Sequence, residues 1–206
     1  MVPHKTPVLF QYLWPKSLWH MPRADKVIYL TFDDGPIPEL TDWVLSTLSD
    51  FGAKATFFCV GENVEKNPEV FKRIIANGHR VGNHTHNHLN GQNELTASYL
   101  RNVILCDDAF YKHDLRTDLF RPPYGRLKIS QRQQLKNKKI VMWDVLTKDY
   151  DQSLDSEVIL EKSIKATQPG SVIVFHDNLK AEENLKTVLP RYLTFFRDKG
   201  FEFKAL

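Results

Sequence analysis

The chain alternates between two patterns of apolar and polar positions. Short apolar runs rich in β-branched and aromatic residues predict buried strands, whereas apolar residues three or four positions apart predict helices. The predicted strands are 26–32, 53–61, 79–85, 119–125, 139–145 and 171–177. The predicted helices are 38–52, 67–78, 94–113, about 130–137, 155–166 and about 184–199. Because strands and helices take turns, we expect a parallel sheet covered by helices, either an open doubly wound sheet or a barrel.

Residue types at the ends and in the middle of these segments support this interpretation. The segment 67–78 has Asn67 as a capping residue and Pro68 at the first helical position, and it ends at Gly78, which is the usual asymmetry of a helix. The runs FFCV and VIVF are apolar at every position, as in strands that are buried on both faces. Both features favour a parallel α/β organisation.

Residues 1–25 differ from the rest of the chain. Several prolines and lysines interrupt this segment, so it lacks the continuous apolar stretch of a secretion signal. We expect it to form an N-terminal arm that its aromatic side chains hold on the body, and we expect residues 26–206 to form one domain. The lack of a leader and of a long apolar stretch predicts a cytoplasmic protein without a membrane span, and the alternative is that a leader precedes this sequence in the natural protein.

Composition narrows the classes of function. The chain has 206 residues with 42% hydrophobic content, which is enough for one buried core. Its formal net charge is +3, and the basic residues are scattered rather than interleaved with aromatic ones, which argues against a nucleic-acid partner. Cys59 and Cys106 lie in apolar runs without CxxC spacing, so we expect two buried free thiols.

Chemically active residue types collect at one place in each unit, the carboxyl end of the strand. In chain order they are Asp33 and Asp34, then His84, His86 and His88, then Arg121 and Tyr124, then Asp149, and finally His176 and Asp177. Active sites of β/α barrels and open α/β sheets are built at this end of the strands. The pattern therefore predicts one shared site.

The run HTHNH (84–88) is the candidate metal site. His84 and His88 are four positions apart, which places them on the same side of the segment. Imidazole nitrogens suit zinc and similar divalent metals, and a carboxylate from the Asp pair can complete a site that leaves positions open. His86 has the wrong phase for that metal, and we interpret it as a packing or rim residue.

The adjacent carboxylates of Asp33 and Asp34 need cations nearby, because two neighbouring negative charges repel each other. A metal ion can neutralise one of them. Arg121 can pair with the other and keep it ionised, ready to accept a proton. Taken alone, the run DDGP is also consistent with a simple strand-to-helix turn, because Asp, Gly and Pro all favour turns.

Together these motifs resemble those of the polysaccharide deacetylases, the NodB-homology group or carbohydrate esterase family 4. TFDDGP (31–36), HTHNH (84–88), RPPYG (121–125) and VIVFHD (172–177) are similar to the family's first, second, third and fifth motifs, in the same order. The resemblance spans about 26–206. It implies a distorted (β/α) barrel with about seven parallel strands. It also implies metal-dependent removal of N-acetyl groups, with O-acetyl groups as a variant, from a glycan such as peptidoglycan or a chitin-like polymer.

The resemblance also implies functions for individual residues. One divalent metal, commonly zinc, would be bound by Asp34, His84 and His88. The catalytic groups would be Asp33 as general base, Arg121 as its partner, the Tyr124 backbone N–H as oxyanion donor, His176 as general acid and Asp149 as the partner of that acid. The walls of the substrate pocket would be Pro123, Leu146, Tyr150 and Val174. The oligomeric state is left open.

The fourth motif departs from the family pattern. The usual form is D-x-x-D-W, whereas this chain has LTKDY, with Leu146 in place of the first Asp and Tyr150 in place of Trp. Asp149 is retained. We expect the change to affect substrate contacts more than proton transfer, because Tyr150 can still form a pocket wall.

Two other functions stay open from the sequence. The first is a metal-dependent amidohydrolase that acts on a small amide in the cytosol, which the absent leader and the altered fourth motif favour. The second is a carbohydrate-binding module with a degenerate active site. The presence of both Asp residues, both His ligands, Arg121 and His176 argues against it.

Overall fold

The computed structural model describes residues 3–206, and Met1 and Val2 of the N-terminal arm lie outside the described part. Its sheet contains eight strands, which are β1 Val27–Asp33, β2 Thr56–Cys59, β3 Arg80–Asn83, β4 Leu119–Phe120, β5 Lys139–Ile140, β6 Val145–Leu146, β7 Val172–His176 and β8 Glu202–Lys204. All neighbouring strands pair in parallel.

The strands follow one another in the order β5-β4-β3-β2-β1-β7-β6, and β8 pairs with the beginning of β1. The two strands at the ends of this order, β5 and β6, are joined by residues 141–144 alone, so the edges of the sheet lie near each other. The sheet is therefore curled into a distorted (β/α) barrel. The expected fold is confirmed, and the barrel is the correct choice between the two α/β architectures.

Eight α-helices occur in the described residues. They are α1 Val8–Leu13, α2 Leu40–Asp50, α3 Gly61–Lys66, α4 Pro68–Ala76, α5 Thr96–Tyr111, α6 Ile129–Gln134, α7 Ser156–Ala166 and α8 Glu182–Asp198. The short helices α1 and α3 and the short strands β6 and β8 were not predicted as separate elements. Within residues 3–206, no helix combines the length and the apolar character that a bilayer span requires.

The centre of the sheet packs on both faces. On the helix side, the Phe32 ring stacks against Phe57 and Phe175, with ring centroids 5.0 Å and 5.8 Å apart. The next residue of β2, Phe58, points to the barrel interior and packs there with Leu119 and other buried side chains, because successive strand residues face opposite ways. This double burial explains the continuous apolar runs in the sequence.

The N-terminal arm lies along the seam between the two edges of the sheet. The Leu18 N–H donates to the Ile140 carbonyl, and the Met142 N–H donates to the Leu18 carbonyl. On the other edge, the Leu146 N–H donates to the His4 carbonyl and the Thr6 N–H donates to the Asp144 carbonyl. The arm thus occupies hydrogen-bonding positions that an open barrel would otherwise leave unpaired.

A buried ion cluster ties the arm to this seam. The Asp144 side chain is fully buried, and its Oδ2 accepts from Lys5 Nζ at 2.7 Å, Arg23 Nη2 at 3.1 Å and Ser171 Oγ at 2.5 Å. Burial opposes ionisation, but the Lys5 and Ser171 hydrogen bonds and the two cations outweigh it and hold the pKa of Asp144 below its usual value. Two of the three donors come from the arm.

Candidate active site

The carboxyl ends of the strands meet around one cleft. Asp33 at the end of β1 is in register with His176 at the end of β7, so these two residues of adjacent strands lie side by side. The cleft has a volume of about 630 Å³. Its predicted lining residues are Asp33, Asp34, His84, His88, Tyr124, Leu146, Tyr150, Val174 and His176. The sequence interpretation missed five others, Asn90, Arg126, Trp143, Asn178 and Lys180.

Asp34, His84 and His88 form a compact group of donor atoms. One ligand atom from each lies within 4.8 Å of the others. Asp34 Oδ1 is 3.1 Å from His88 Nε2 and 3.5 Å from His84 Nε2, and this buried oxygen has no hydrogen-bond partner. His84 Nδ1 lies 2.7 Å from the Arg121 carbonyl oxygen, so Nδ1 donates to that oxygen and Nε2 is the nitrogen turned toward Asp34. This set of two imidazoles and one carboxylate fits a divalent metal ion.

The electrostatics of Asp34 agree with this fit. Burial would raise its pKa, but His84, His88 and the charge of His176 hold that pKa well below its usual range. Asp34 also has a φ of 87°, in the left-handed region that ordinary residues seldom adopt. A strained, ionised carboxylate with one unbonded oxygen indicates a site prepared for a cation.

The loop that carries the two histidines is organised by its neighbours. Asn102 of α5 accepts from the backbone N–H groups of His86 and Asn87, at 2.8 Å and 2.9 Å. Thr85 Oγ1 accepts from the Leu89 N–H at 3.1 Å. His86 points away from the cleft, with Nε2 3.7 Å from Glu65 of α3. The structure therefore places His86 outside the metal-ligand group.

Asp33 has its own buried partner. Arg121 is fully buried, and its Nη1 donates to Asp33 Oδ1 at 2.6 Å and to Thr31 Oγ1 at 2.7 Å. Its guanidinium also lies 4.1 Å from the centre of the Phe58 ring and donates to two backbone carbonyls. Arg121 is thus fixed beneath the cleft, and one oxygen of Asp33 is held by it. The other oxygen, Oδ2, is 3.9 Å from His84 Nε2.

His176 and Asp149 form a second pair. Asp149 is fully buried, and it accepts from the His176 backbone N–H at 2.8 Å and contacts His176 Nδ1 at 2.7 Å. Burial would lower the pKa of His176, but the Asp149 carboxylate, with help from Asp34 and Asp33, raises it to about 9. The Tyr150 ring packs edge-on against the imidazole, at a centroid distance of 4.8 Å. His176 is therefore a cation at neutral pH.

Asp177 follows His176 but faces away from the cleft. Its carboxyl accepts from the Gly35 N–H at 3.1 Å and from Thr41 Oγ1 at 2.6 Å. A Cβ atom on Gly35 would lie 2.0 Å from Asp177 Oδ2, so only glycine permits this approach. Burial, together with the nearby charge of Asp34, raises the pKa of Asp177 to about 8. At neutral pH Asp177 is therefore an uncharged carboxylic acid, and it anchors the turn that carries Asp34.

The remaining pocket residues divide into two groups. Leu146 and Val174 are buried and line the cleft, and the exposed Tyr124 ring stands 4.8 Å from the His88 ring. Tyr124 has a φ of 59°, which bends the chain sharply at this point. Pro123, by contrast, was predicted to form a wall of the pocket, and this prediction is wrong. It is buried in the same turn, where its carbonyl accepts from the Arg126 N–H, and it does not line the cleft.

The comparisons with known proteins agree with this geometry. The family model described as polysaccharide deacetylase matches residues 20–143, which is more than half of the chain. The chain belongs to the polysaccharide deacetylase family. A peptidoglycan-N-acetylglucosamine deacetylase of Bacillus cereus is 32% identical over 189 residues, covering 90% of this chain and 88% of that protein.

Two further relatives match most of the length of this chain. A chitooligosaccharide deacetylase of Sinorhizobium fredii is 29% identical over 203 residues, covering 87% of this chain and 89% of that protein. The crystal structure of the Bc1960 peptidoglycan N-acetylglucosamine deacetylase is 31% identical with a TM-score of 0.89, and the match covers 96% of this chain and 94% of that one. The protein is accordingly a hydrolase of the polysaccharide deacetylase class, and a binding module without enzymatic activity is not supported.

Proposed function

We propose that this enzyme removes N-acetyl groups from a peptidoglycan-type glycan with the aid of one divalent metal ion, most suitably zinc. The main support for the proposal is that one group of three ligand residues and two charged pairs meet at one cleft. They are the ligand group of Asp34 with the two histidines, the Asp33–Arg121 pair and the His176–Asp149 pair. Bound at Asp34, His84 and His88, a zinc ion would act as a Lewis acid toward the acetamide carbonyl and water.

Asp33 is the proposed general base. Arg121 donates to Oδ1 at 2.6 Å, so that Oδ2 faces the ligand group and is free to accept a proton from the attacking water. The backbone N–H of Tyr124 is the proposed donor to the developing oxyanion, because the left-handed turn sets this residue at the edge of the cleft.

His176 is the proposed general acid. Asp149 engages Nδ1, so the proton on Nε2 is the one directed toward the departing amine. The base and the acid therefore lie in one cleft, and each is paired with a buried side chain, Asp33 with Arg121 and His176 with Asp149. The two partners, Arg121 and Asp149, act through the residues that they hold.

Replacing Asp149 with asparagine tests the acid. His176 is active when protonated, so activity should fall as the pH rises through its pKa, which is about 9 in the native protein. Without the Asp149 charge, we expect the pH at which kcat/KM falls, the basic limb of the pH profile, to decrease by about 1–3 pH units. Asp151→Asn is the control, because Asp151 bonds to Ser153 in the same loop. An unshifted basic limb in Asp149→Asn would show that another group supplies the proton.

Charge at the cleft supports an anionic glycan as the substrate. Arg126 and Lys180 are exposed, both line the cleft, and neither forms an ion pair within residues 3–206. Peptidoglycan carries carboxylates on its lactyl ether and peptide stems, whereas N-acetylglucosamine oligomers are neutral. The named activities of the Bacillus cereus relative and of Bc1960 favour the same choice.

The experiment is acetate release from muropeptide oligomers, N-acetylglucosamine oligomers and acetylxylan, compared after zinc loading. We expect the highest kcat/KM on the muropeptides, and we expect Arg126→Gln with Lys180→Gln to reduce that advantage roughly 3- to 10-fold. Arg101→Gln with Lys136→Gln is the matched control, because both residues are exposed and lie outside the cleft. Acetate release from acetylxylan alone would show that the enzyme removes O-acetyl groups and would contradict the proposal. If no glycan releases acetate, a small amide becomes the favoured substrate.

Leu146→Asp tests the altered fourth motif. Leu146 is 5% exposed and forms an apolar wall of the cleft, so it cannot accept a hydrogen bond from a sugar hydroxyl. We expect the variant to change KM and the ranking of glycans of different length more than kcat, because the proton-transfer groups lie elsewhere. Thermal unfolding is measured first, since a buried carboxylate can destabilise the fold. A uniform fall of kcat on every glycan would contradict this interpretation.

A further inference from the structure

Asn178 lies in the turn between β7 and α8 and lines the cleft beside Asp34. Its Nδ2 donates to Asp34 Oδ2 at 2.5 Å, and its Oδ1 accepts from the Ala181 N–H at 2.9 Å. Sequence reasoning did not identify this residue, because a single Asn after a strand has the ordinary appearance of a turn former.

The two bonds of Asn178 determine the orientation of its amide. A backbone N–H can donate only to the carbonyl oxygen of the amide, so the Ala181 bond fixes Oδ1 on the helix side. The NH₂ group must then face Asp34. The position of this donor is therefore set by the start of α8 and not by the carboxylate that receives it.

The result is an unequal environment for the two oxygens of Asp34. Oδ2 is bonded to Asn178, whereas Oδ1 is buried without a hydrogen bond and faces His84 and His88. The backbone of Asp34 is held independently, since its carbonyl accepts from Asn63 Nδ2 at 2.8 Å. Without Asn178, rotation of the carboxylate about χ2 would have no side-chain restraint on Oδ2.

We propose that Asn178 is a positioning residue for the metal site. It holds Asp34 so that Oδ1 alone is presented beside the two imidazoles, which favours ligation through one oxygen and keeps the opposite side of the site open to substrate. This inference rests on the proposed function, because it requires a metal at Asp34, His84 and His88. Loss of such an outer partner typically weakens metal binding by about 10- to 100-fold.

Asn178→Ser separates the two bonds of Asn178. A serine hydroxyl can still cap the Ala181 N–H, but it is too short to reach Asp34. Asn90→Ser is the matched control. Asn90 also lines the cleft and its Oδ1 accepts from the Gln92 N–H at 3.1 Å, but its side chain does not bond to Asp34. Asn178→Thr, which keeps the hydroxyl, serves if Asn178→Ser does not fold.

Zinc affinity is measured by competition with a chromophoric chelator, in the absence of glycan. We expect about 10- to 100-fold weaker zinc binding for Asn178→Ser and wild-type affinity for Asn90→Ser. The visible spectrum of the Co²⁺-loaded protein should change in Asn178→Ser alone, because the carboxylate then takes a different ligation mode.

The outcomes distinguish this inference from the proposed function. If the wild type binds zinc and Asn178→Ser has the same affinity and the same Co²⁺ spectrum, the positioning function is wrong. If Asn178→Ser changes KM for glycan but neither metal readout, Asn178 is a substrate contact and the inference is again wrong. If wild type and His84→Ala bind zinc equally, the metal site itself fails.

Discussion

Replacing Asp33 with asparagine is expected to lower turnover by about 10²–10⁴-fold while leaving the zinc content unchanged. Asparagine keeps an oxygen that can accept from Arg121 Nη1, which now bonds to Asp33 Oδ1 at 2.6 Å. It cannot take up a proton at neutral pH. The ligand group of Asp34, His84 and His88 does not include this side chain, so metal binding is retained.

The Asp33→Asn variant should fold but be less stable. Arg121 is fully buried, and the substitution removes its counter-ion while leaving its bonds to Thr31 and to the carbonyls of Val141 and Met142. Circular dichroism, zinc content and acetate release on one preparation separate these effects.

Asp177→Asn is the matched comparison for Asp33→Asn. Asp177 has a pKa raised to about 8 and is outside the cleft, so asparagine replaces a carboxyl group that is uncharged at neutral pH. Asparagine can keep the first bond, with Oδ1 accepting from the Gly35 N–H, and can replace the second with one of opposite direction, from Nδ2 to Thr41 Oγ1. We expect this variant to keep most of its activity. An active Asp33→Asn protein would mean that another group accepts the proton.

The sequence predicted the parallel α/β sheet and most of the cleft because these features leave strong local patterns, whereas the choice of a barrel came from the family resemblance. Long apolar runs mark strands buried on both faces, and the chemical residues follow their carboxyl ends, as Asp33 and His176 do in adjacent, in-register strands. The sequence indicated that the adjacent carboxylates of Asp33 and Asp34 need neighbouring cations, and the structure shows a separate environment for each. Asp33 has a buried arginine, and Asp34 has two imidazoles.

Features that depend on contacts between distant segments left no such pattern. The seam of the barrel is occupied by an arm whose bonding partners lie more than a hundred residues away, as the Lys5–Asp144 pair illustrates. The strand β6 has two residues and β8 has three, which is too short for an alternation of apolar and polar positions to be recognised. Asn178 and Asp177 act through neighbours on other strands and loops, so their residue types alone did not reveal their contacts.

Replacing His84 with alanine is expected to remove most of the bound zinc and with it the deacetylase activity. The substitution deletes one of the three ligand atoms, and it also removes the bond that ties the histidine to the Arg121 carbonyl at 2.7 Å. The loss should exceed the roughly 10- to 100-fold effect of removing an outer partner, because a ligand itself is lost. Elemental analysis after dialysis, paired with acetate release, measures both effects.

His86→Ala is the control for His84→Ala, since it removes a histidine from the same loop that contacts Glu65 instead of the ligand group. It should bind zinc as the wild type does. His88→Ala should behave like His84→Ala, because His88 Nε2 is 3.1 Å from Asp34 Oδ1 and occupies the other side of that oxygen. A protein with both His84 and His88 replaced that still holds one zinc per chain would show that the metal lies elsewhere. The unbonded oxygen of Asp34 would then need another explanation.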